Sequence, residues 1–199
     1  MPAARVVLRG RRTTAGTART GRGSRSATPS AIAQPPRTTE SFDVDRVWLV
    51  ERVEAAHRYD VPVERGFAFI TDTANWSRFW PGYVRLAEGS RWGASGDTAR
   101  LVTRLLGRER ELTMTLRAFE PSRLVTYTST QPGLPDAYHE RHFEPDGDGF
   151  VYRLAVEYEP RGAIPGLLDR TLLRRAILRA FERTFVALEQ QFSLQRERA

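Results

Sequence analysis

The chain has 199 residues, 40% of them hydrophobic and none of them cysteine; that suffices for one well-buried domain plus some extra chain, and it excludes disulfides, thiolate metal sites and a cysteine nucleophile. The net charge of +7 belongs to the N-terminus, because residues 1–39 hold eight arginines and no acid, whereas 23 arginines face 24 acids from residue 40 on. The rest is near neutral, so net charge points to no nucleic-acid-binding stripe, and no apolar run approaches the ~18–20 residues of a membrane span.

The N-terminus lacks the continuous apolar stretch of a secretory signal, and the chain reads as a cytoplasmic protein. Lysine is missing altogether, a bias that reads as coding from GC-rich DNA. The segment "RGRRTTAGTARTGRGSRSATPSAIAQPPRTTE" is rich in Arg, Thr, Ser, Gly and Ala without apolar periodicity, so it cannot repay the entropy of ordering. Residues 1–45 are expected to be a disordered tail: a flexible segment or mis-assigned start, a transit peptide, or an RNA-binding arm. Any nucleic-acid contact is confined to it. Its "GRGSRS" lacks the flanking strand and helix of a dinucleotide fingerprint. The folded domain is expected over 46–195.

From Val47, "VWLVERVEAAHRYDVP" alternates through Val53, Ala55, His57, Tyr59 and Val61, the period of a strand with one buried face. Pro62 ends it. Val63, Phe67 and Ile70 then recur at helical spacing, and "ANWSRFW" forms a second short helix that Pro81-Gly82 stops. Six alternating segments follow, "YVRLAEGS", "DTARLVTRLLG", "RERELTMTLRAFE", "RLVTYTST", "AYHERHFE" and "FVYRLAVEYE", separated by Gly, Pro and Asp turn signals. Short consecutive connections make an antiparallel meander. Beyond Gly162, with Pro165 in the first turn, Leu173, Ile177, Phe181, Phe185 (or Thr184), Leu188 and Phe192 share one stripe of a long helix. A curved antiparallel sheet must cover one face, and only that helix is long enough to do it. The curvature leaves a tapered cavity suited to a small apolar ligand.

The order of elements, "PVERGFAFITDTANWSRFWPG", the hairpin "HFEPDGDGFVYRLAVEY" and the helix "LLDRTLLRRAILRAFERTFVALEQQF" resemble the polyketide cyclase/dehydrase and lipid-transport family, a bacterial branch of the START-like helix-grip (SRPBCC) proteins. The resemblance covers about residues 48–194. It rests on Asp72 before Trp80-Pro81 and on Phe143-Glu144-Pro145 before Gly147 and Gly149. It implies an α+β helix-grip (START/Bet v 1-like) fold, a curved seven-stranded antiparallel sheet around a long C-terminal helix, with two short helices after the first strand. It implies no cofactor. Members include lipid and quinone carriers and polyketide aromatases. Phe150 stands where the family usually has threonine.

Trp76, Phe79, Trp80 and Tyr83 would cap the open end of the grip, as cavity wall or as ordinary core. If Phe143 is buried, strand parity turns Arg141 and His139 inward with Leu112, Met114, Leu116, Val125, Tyr127, Tyr152, Leu154 and Val156; the opposite parity would turn Tyr138, Glu140 and His142 inward. The expected ligand-binding set is therefore Trp76, Phe79, Trp80, Tyr83, Met114, Tyr127, His139, Arg141, Tyr152 and Leu154. Arg141 and Tyr127 could polarise the carbonyls of a poly-β-ketone while His139, near neutral pKa, moves a proton. Alternatively Arg141 pairs with Glu140 or Glu157 across a strand.

His139 and His142, three apart on a strand, face opposite ways, so no metal is expected; His57 stands apart from them. HExxH, GxSxG and Walker patterns are missing. Asn75-Trp76-Ser77 is a glycosylation sequon in a chain without a signal. Arg170, Arg174, Arg175, Arg179 and Arg183 stud the long helix with Glu182 and Glu189 among them, a solvated face that could touch anionic lipid. Two functions stand: binding or carriage of a small hydrophobic molecule such as a lipid, or a polyketide cyclase/aromatase.

Overall fold

The computed structural model describes residues 50–105, 108–159 and 166–197; the expectations for the tail 1–45, for 46–49, and for Gly107, Gly162 and Pro165 fall outside them. The elements are β1 (Glu51–Tyr59), α1 (Val63–Thr71), a 3₁₀ turn (Thr73–Asn75), α2 (Trp76–Phe79), β2 (Tyr83–Leu86), β3 (Thr98–Leu105), β4 (Arg108–Glu120), β5 (Leu124–Thr130), β6 (Ala137–Asp146), β7 (Gly149–Tyr158) and α3 (Gly166–Arg196). The strands form one seven-stranded curved sheet in the order β1-β7-β6-β5-β4-β3-β2, with antiparallel neighbours throughout. That is the helix-grip architecture expected from the pattern of elements.

Alternation decides the faces. Val53, Ala55 and Tyr59 are buried on β1, and Phe143 pairs with Tyr152 on the same covered side, both about 1% exposed. On β4 a bulge between Leu116 and Ala118 inserts one residue, so inward positions shift from Met114 and Leu116 to Phe119. Phe119 then packs edge-on against Phe67 of α1, which also meets Phe143.

Local chemistry shapes the entry. The Asp72 carboxylate accepts from the Ala74 amide at 2.9 Å and opens the 3₁₀ turn. Trp76, fully buried, donates its indole N–H to the Ile70 carbonyl at 3.2 Å, so its polar atom is satisfied inside the core. Asn75 donates to the Phe69 carbonyl at 3.2 Å, tying the sequon asparagine to α1. Gly82 has φ 72°, and a Cβ there would stand 2.6 Å from the Arg104 carbonyl oxygen, so the turn after Pro81 requires glycine.

The long helix is gripped unevenly. Phe185, Leu188 and Phe192 are buried, and Phe192 meets Tyr59, Phe69 and Phe150 edge-on. Each such side chain is worth about 1.5–3 kcal/mol when removed from water. Tyr59 adds a buried bond, donating its hydroxyl to the Phe185 carbonyl at 3.2 Å. The departure at Phe150 has a partner: a Cβ on Gly66 would lie 2.3 Å from the Phe150 ring, so the large side chain on β7 fits because α1 carries none opposite it. Alanine normally favours a helix over glycine by about 1 kcal/mol. Here Gly66→Ala is expected to destabilise by about 1–3 kcal/mol, with part of the loss recovered when combined with Phe150→Leu, a coupling that urea denaturation of the four proteins measures.

Candidate functional site

A cavity of about 250 Å³ lies between the sheet and the first half of α3. Its sheet side is formed by β5, β6 and β7 through Tyr127, Arg141, Tyr152, Leu154 and Val156; its roof by Leu173, Ile177, Ala180, Phe181 and Thr184; and its ends by Phe79-Trp80-Pro81 and by Gln131, Leu134 and Pro135. The walls are predominantly apolar and aromatic, as small-molecule sites are. Along α3 the bulk changes: Phe185, Leu188 and Phe192 are buried toward its C-terminal end, whereas Leu173, Ile177, Ala180 and Phe181 border the open space.

The expected ligand contacts divide. Phe79, Trp80, Tyr127, His139, Arg141, Tyr152 and Leu154 line the cavity, whereas Trp76, Tyr83 and Met114 stand outside its lining. Trp76 is behind the wall, its ring 5.3 Å from those of Trp80 and Trp92, and it holds Trp80 in place. Tyr83 is half-buried at the start of β2 with its amide bonded to the Trp80 carbonyl, and Met114 is fully buried core. Ser129, Gln131, Leu134 and Tyr158 are lining residues that the sequence reading did not single out. Parity with Val125 and Tyr127 would have found Ser129; the two loop residues carry no periodic signal.

Arg141 is the unusual member. It is only 4% exposed and faces the cavity. Its Nη2 donates to the Tyr127 hydroxyl at 3.0 Å, and its guanidinium carbon sits 5.0 Å from the ring centres of both Trp80 and Tyr127. Its Nε and Nη1 are buried without a hydrogen-bond acceptor, and no carboxylate among the described residues pairs with it. The alternative of a cross-strand pair with Glu140 or Glu157 does not hold, because both acids are bonded to Arg52. Burial is the largest influence on Arg141 and opposes its charge, the Tyr127 and Tyr152 oxygens favour it, and with the pKa raised the group stays cationic.

This cation sets the state of its neighbours. His139 stacks on Tyr127 at 4.4 Å, nearly parallel, and its Nε2 shares a 2.8 Å hydrogen bond with Ser129 Oγ. Burial, reinforced by the Arg141 charge, pushes its pKa down to about 3. With that shift the imidazole is neutral near pH 7, below the near-neutral pKa expected of a proton carrier. Burial raises the Tyr152 phenol, against a lowering by Arg141, so it remains protonated. His142 lies on the other face, 3.2 Å from Glu140, apart from His139. Among the described residues no group of three or more acids and histidines is arranged to hold a metal, and no helix is long and apolar enough to cross a membrane.

A concave sheet, a gripped helix and an apolar chamber between them define a START-like helix-grip protein. The family model described as polyketide cyclase / dehydrase and lipid transport matches residues 50–193, and the chain belongs to that family. Among solved structures it is similar to a START superfamily protein from Mycobacterium smegmatis, with TM-score 0.62, 12% identity, and 72% of this chain and 98% of that one covered. The Zhui aromatase/cyclase from Streptomyces sp. R1128 gives TM-score 0.62 at 15% identity over 72% of this chain and 93% of its own. The protein TTHA0849 from Thermus thermophilus gives 0.60 at 19% over 70% and 95%. Identities this low establish the fold alone. No curated protein matches the chain.

Two outcomes follow from the electrostatics. An uncompensated buried charge costs stability, so Arg141→Met is expected to leave the free protein as stable as the parent within about 1 kcal/mol, or more stable; thermal and urea unfolding check this. The folded-state pKa of His139 lies below the unfolded value of ~6.5, so the unfolded chain takes up the proton first as pH falls. Its contribution is complete above about pH 6.5 and lost as pH drops from there toward 3. Between pH 7 and pH 5 the parent is expected to lose about 2 kcal/mol more than His139→Gln, measured as the difference in unfolding free energy.

Proposed function

We propose that this protein binds a small hydrophobic molecule in the chamber beneath α3 and carries or sequesters it. The observation that carries the reading is the chamber itself: about 250 Å³ left open along the one stretch of α3 where the stripe is thin, and walled by Trp80, Tyr127, Tyr152, Leu154 and Ile177. A hollow that served packing alone would be filled, since each unfilled volume costs contacts. Family membership and the START superfamily neighbour are consistent with carriage.

A second reading, ring closure of a poly-β-ketone, is favoured by the Arg141–Tyr127 pair, which sets a cation and a hydroxyl at 3.0 Å inside the same chamber, and by the likeness to an aromatase/cyclase. These groups could stabilise a developing enolate oxygen. With His139 neutral and weakly basic, such a reaction would draw its proton transfers from water or from the substrate itself.

Native mass spectrometry of protein isolated gently from its host, followed by uptake assays on the emptied protein, tests both. Carriage predicts one bound small molecule per chain, retained unchanged and lost in Ala180→Phe, which fills the chamber from α3, but not in Val186→Lys on the exposed side of the same helix. Catalysis predicts cyclised product from a reactive poly-β-ketone, falling on the order of 10²-fold in Arg141→Met. A parent chain that takes up nothing and converts nothing would contradict both readings.

A further inference from the structure

Two polar side chains of the chamber, Arg141 and Gln131, hold buried donors in want of acceptors. Arg141 offers five N–H groups, and three of them lie on Nε and Nη1, the two nitrogens buried without a partner. Gln131, in the loop that closes one end of the same chamber, also has a buried amide nitrogen without an acceptor. The acids nearest in sequence are committed to the opposite face of the sheet, Glu140 to Arg52 and His142, and Glu144 to Arg153. The flanking Trp80 and Tyr127 rings attract the guanidinium, but such contacts offset only part of the cost of holding an ion out of water. A neutral ligand would leave the charge as it stands, whereas an anion would cancel it and supply the missing acceptors together.

Resting on the binding reading above, we propose that the ligand is an apolar-bodied monoanion, a carboxylic acid whose carboxylate accepts from the unpartnered Nε or Nη1 of Arg141 and from the Nη2 N–H that Tyr127 leaves free, while its hydrocarbon body lies under Leu173 and Ile177. A planar carboxylate matches either guanidinium fork, and the bond is charge-assisted at a guanidinium that is itself buried. Arg141 thereby selects the ligand class, and the aromatic and aliphatic walls accept the body without reading it closely.

The test compares each acid with its methyl ester, which keeps the body and removes the charge. 2-Naphthoate with methyl 2-naphthoate, and decanoate with methyl decanoate, are titrated into the emptied full-length protein at pH 7 by calorimetry and by quenching of tryptophan fluorescence. At least one acid is expected to bind ten-fold or more tightly than its ester, and the better pair tells whether an aromatic or an acyl body is preferred. The preference should vanish in Arg141→Met and survive in part in Arg141→Lys, which keeps the charge without the fork. An ester that binds as well as its acid, with Ala180→Phe abolishing both, would overturn the anion proposal and leave the binding reading standing. Failure of all four probes to bind would overturn both. The acid-to-ester ratio in the parent protein decides the matter even if an Arg141 variant does not fold.

Discussion

One constraint shapes the molecule: the apolar stripe of α3 must be covered by a single concave sheet face, yet the stripe is not uniform in bulk. Toward the C-terminal end of α3, Phe185, Leu188 and Phe192 interlock with Tyr59, Phe69, Phe150 and Tyr152, and the hollow is solid. Toward the other end Leu173, Ile177, Ala180 and Phe181 border a chamber that remains open. Helix, sheet and chamber are therefore one feature. The packed end supplies stability that lets the other end stay open.

Charge is divided between the faces of the sheet in the same spirit. On the outer face Arg52, Glu54, Glu140, Glu157, Arg153 and Glu144 are knitted into ion pairs across β1, β7 and β6. On the inner face Arg141 stands among rings, and burial together with its field keeps His139 neutral.

Much of this was written in the chain. Alternation through Val53, Ala55 and Tyr59, and the stripe from Leu173 to Phe192, specify sheet and helix because burial on one face forces those periods. The choice of parity on β6 rested on Phe143 beside a tight hairpin, and the inward Arg141 followed from it. What stayed illegible has physical causes. The bulge at Leu116–Ala118 moves one residue out of register without a sequence mark, and so hid Phe119. Trp76, which opens α2, and Trp80, just past its end, read alike, but only Trp80 reaches the chamber because Trp76 is consumed in fixing α2 to α1. The basicity of His139 depends on desolvation and on Arg141, neither of which spacing reveals. Gln131 and Leu134 sit on a loop, where no period exists to be read.

The most direct measurement is a crystal structure of protein taken from its host without stripping of bound molecules. The account predicts continuous density for an apolar body beneath α3, ending in an oxygen about 2.7–2.9 Å from the Nε or Nη1 of Arg141. A chamber closed by inward collapse of α3, or a guanidinium turned out to meet a protein carboxylate, would contradict it.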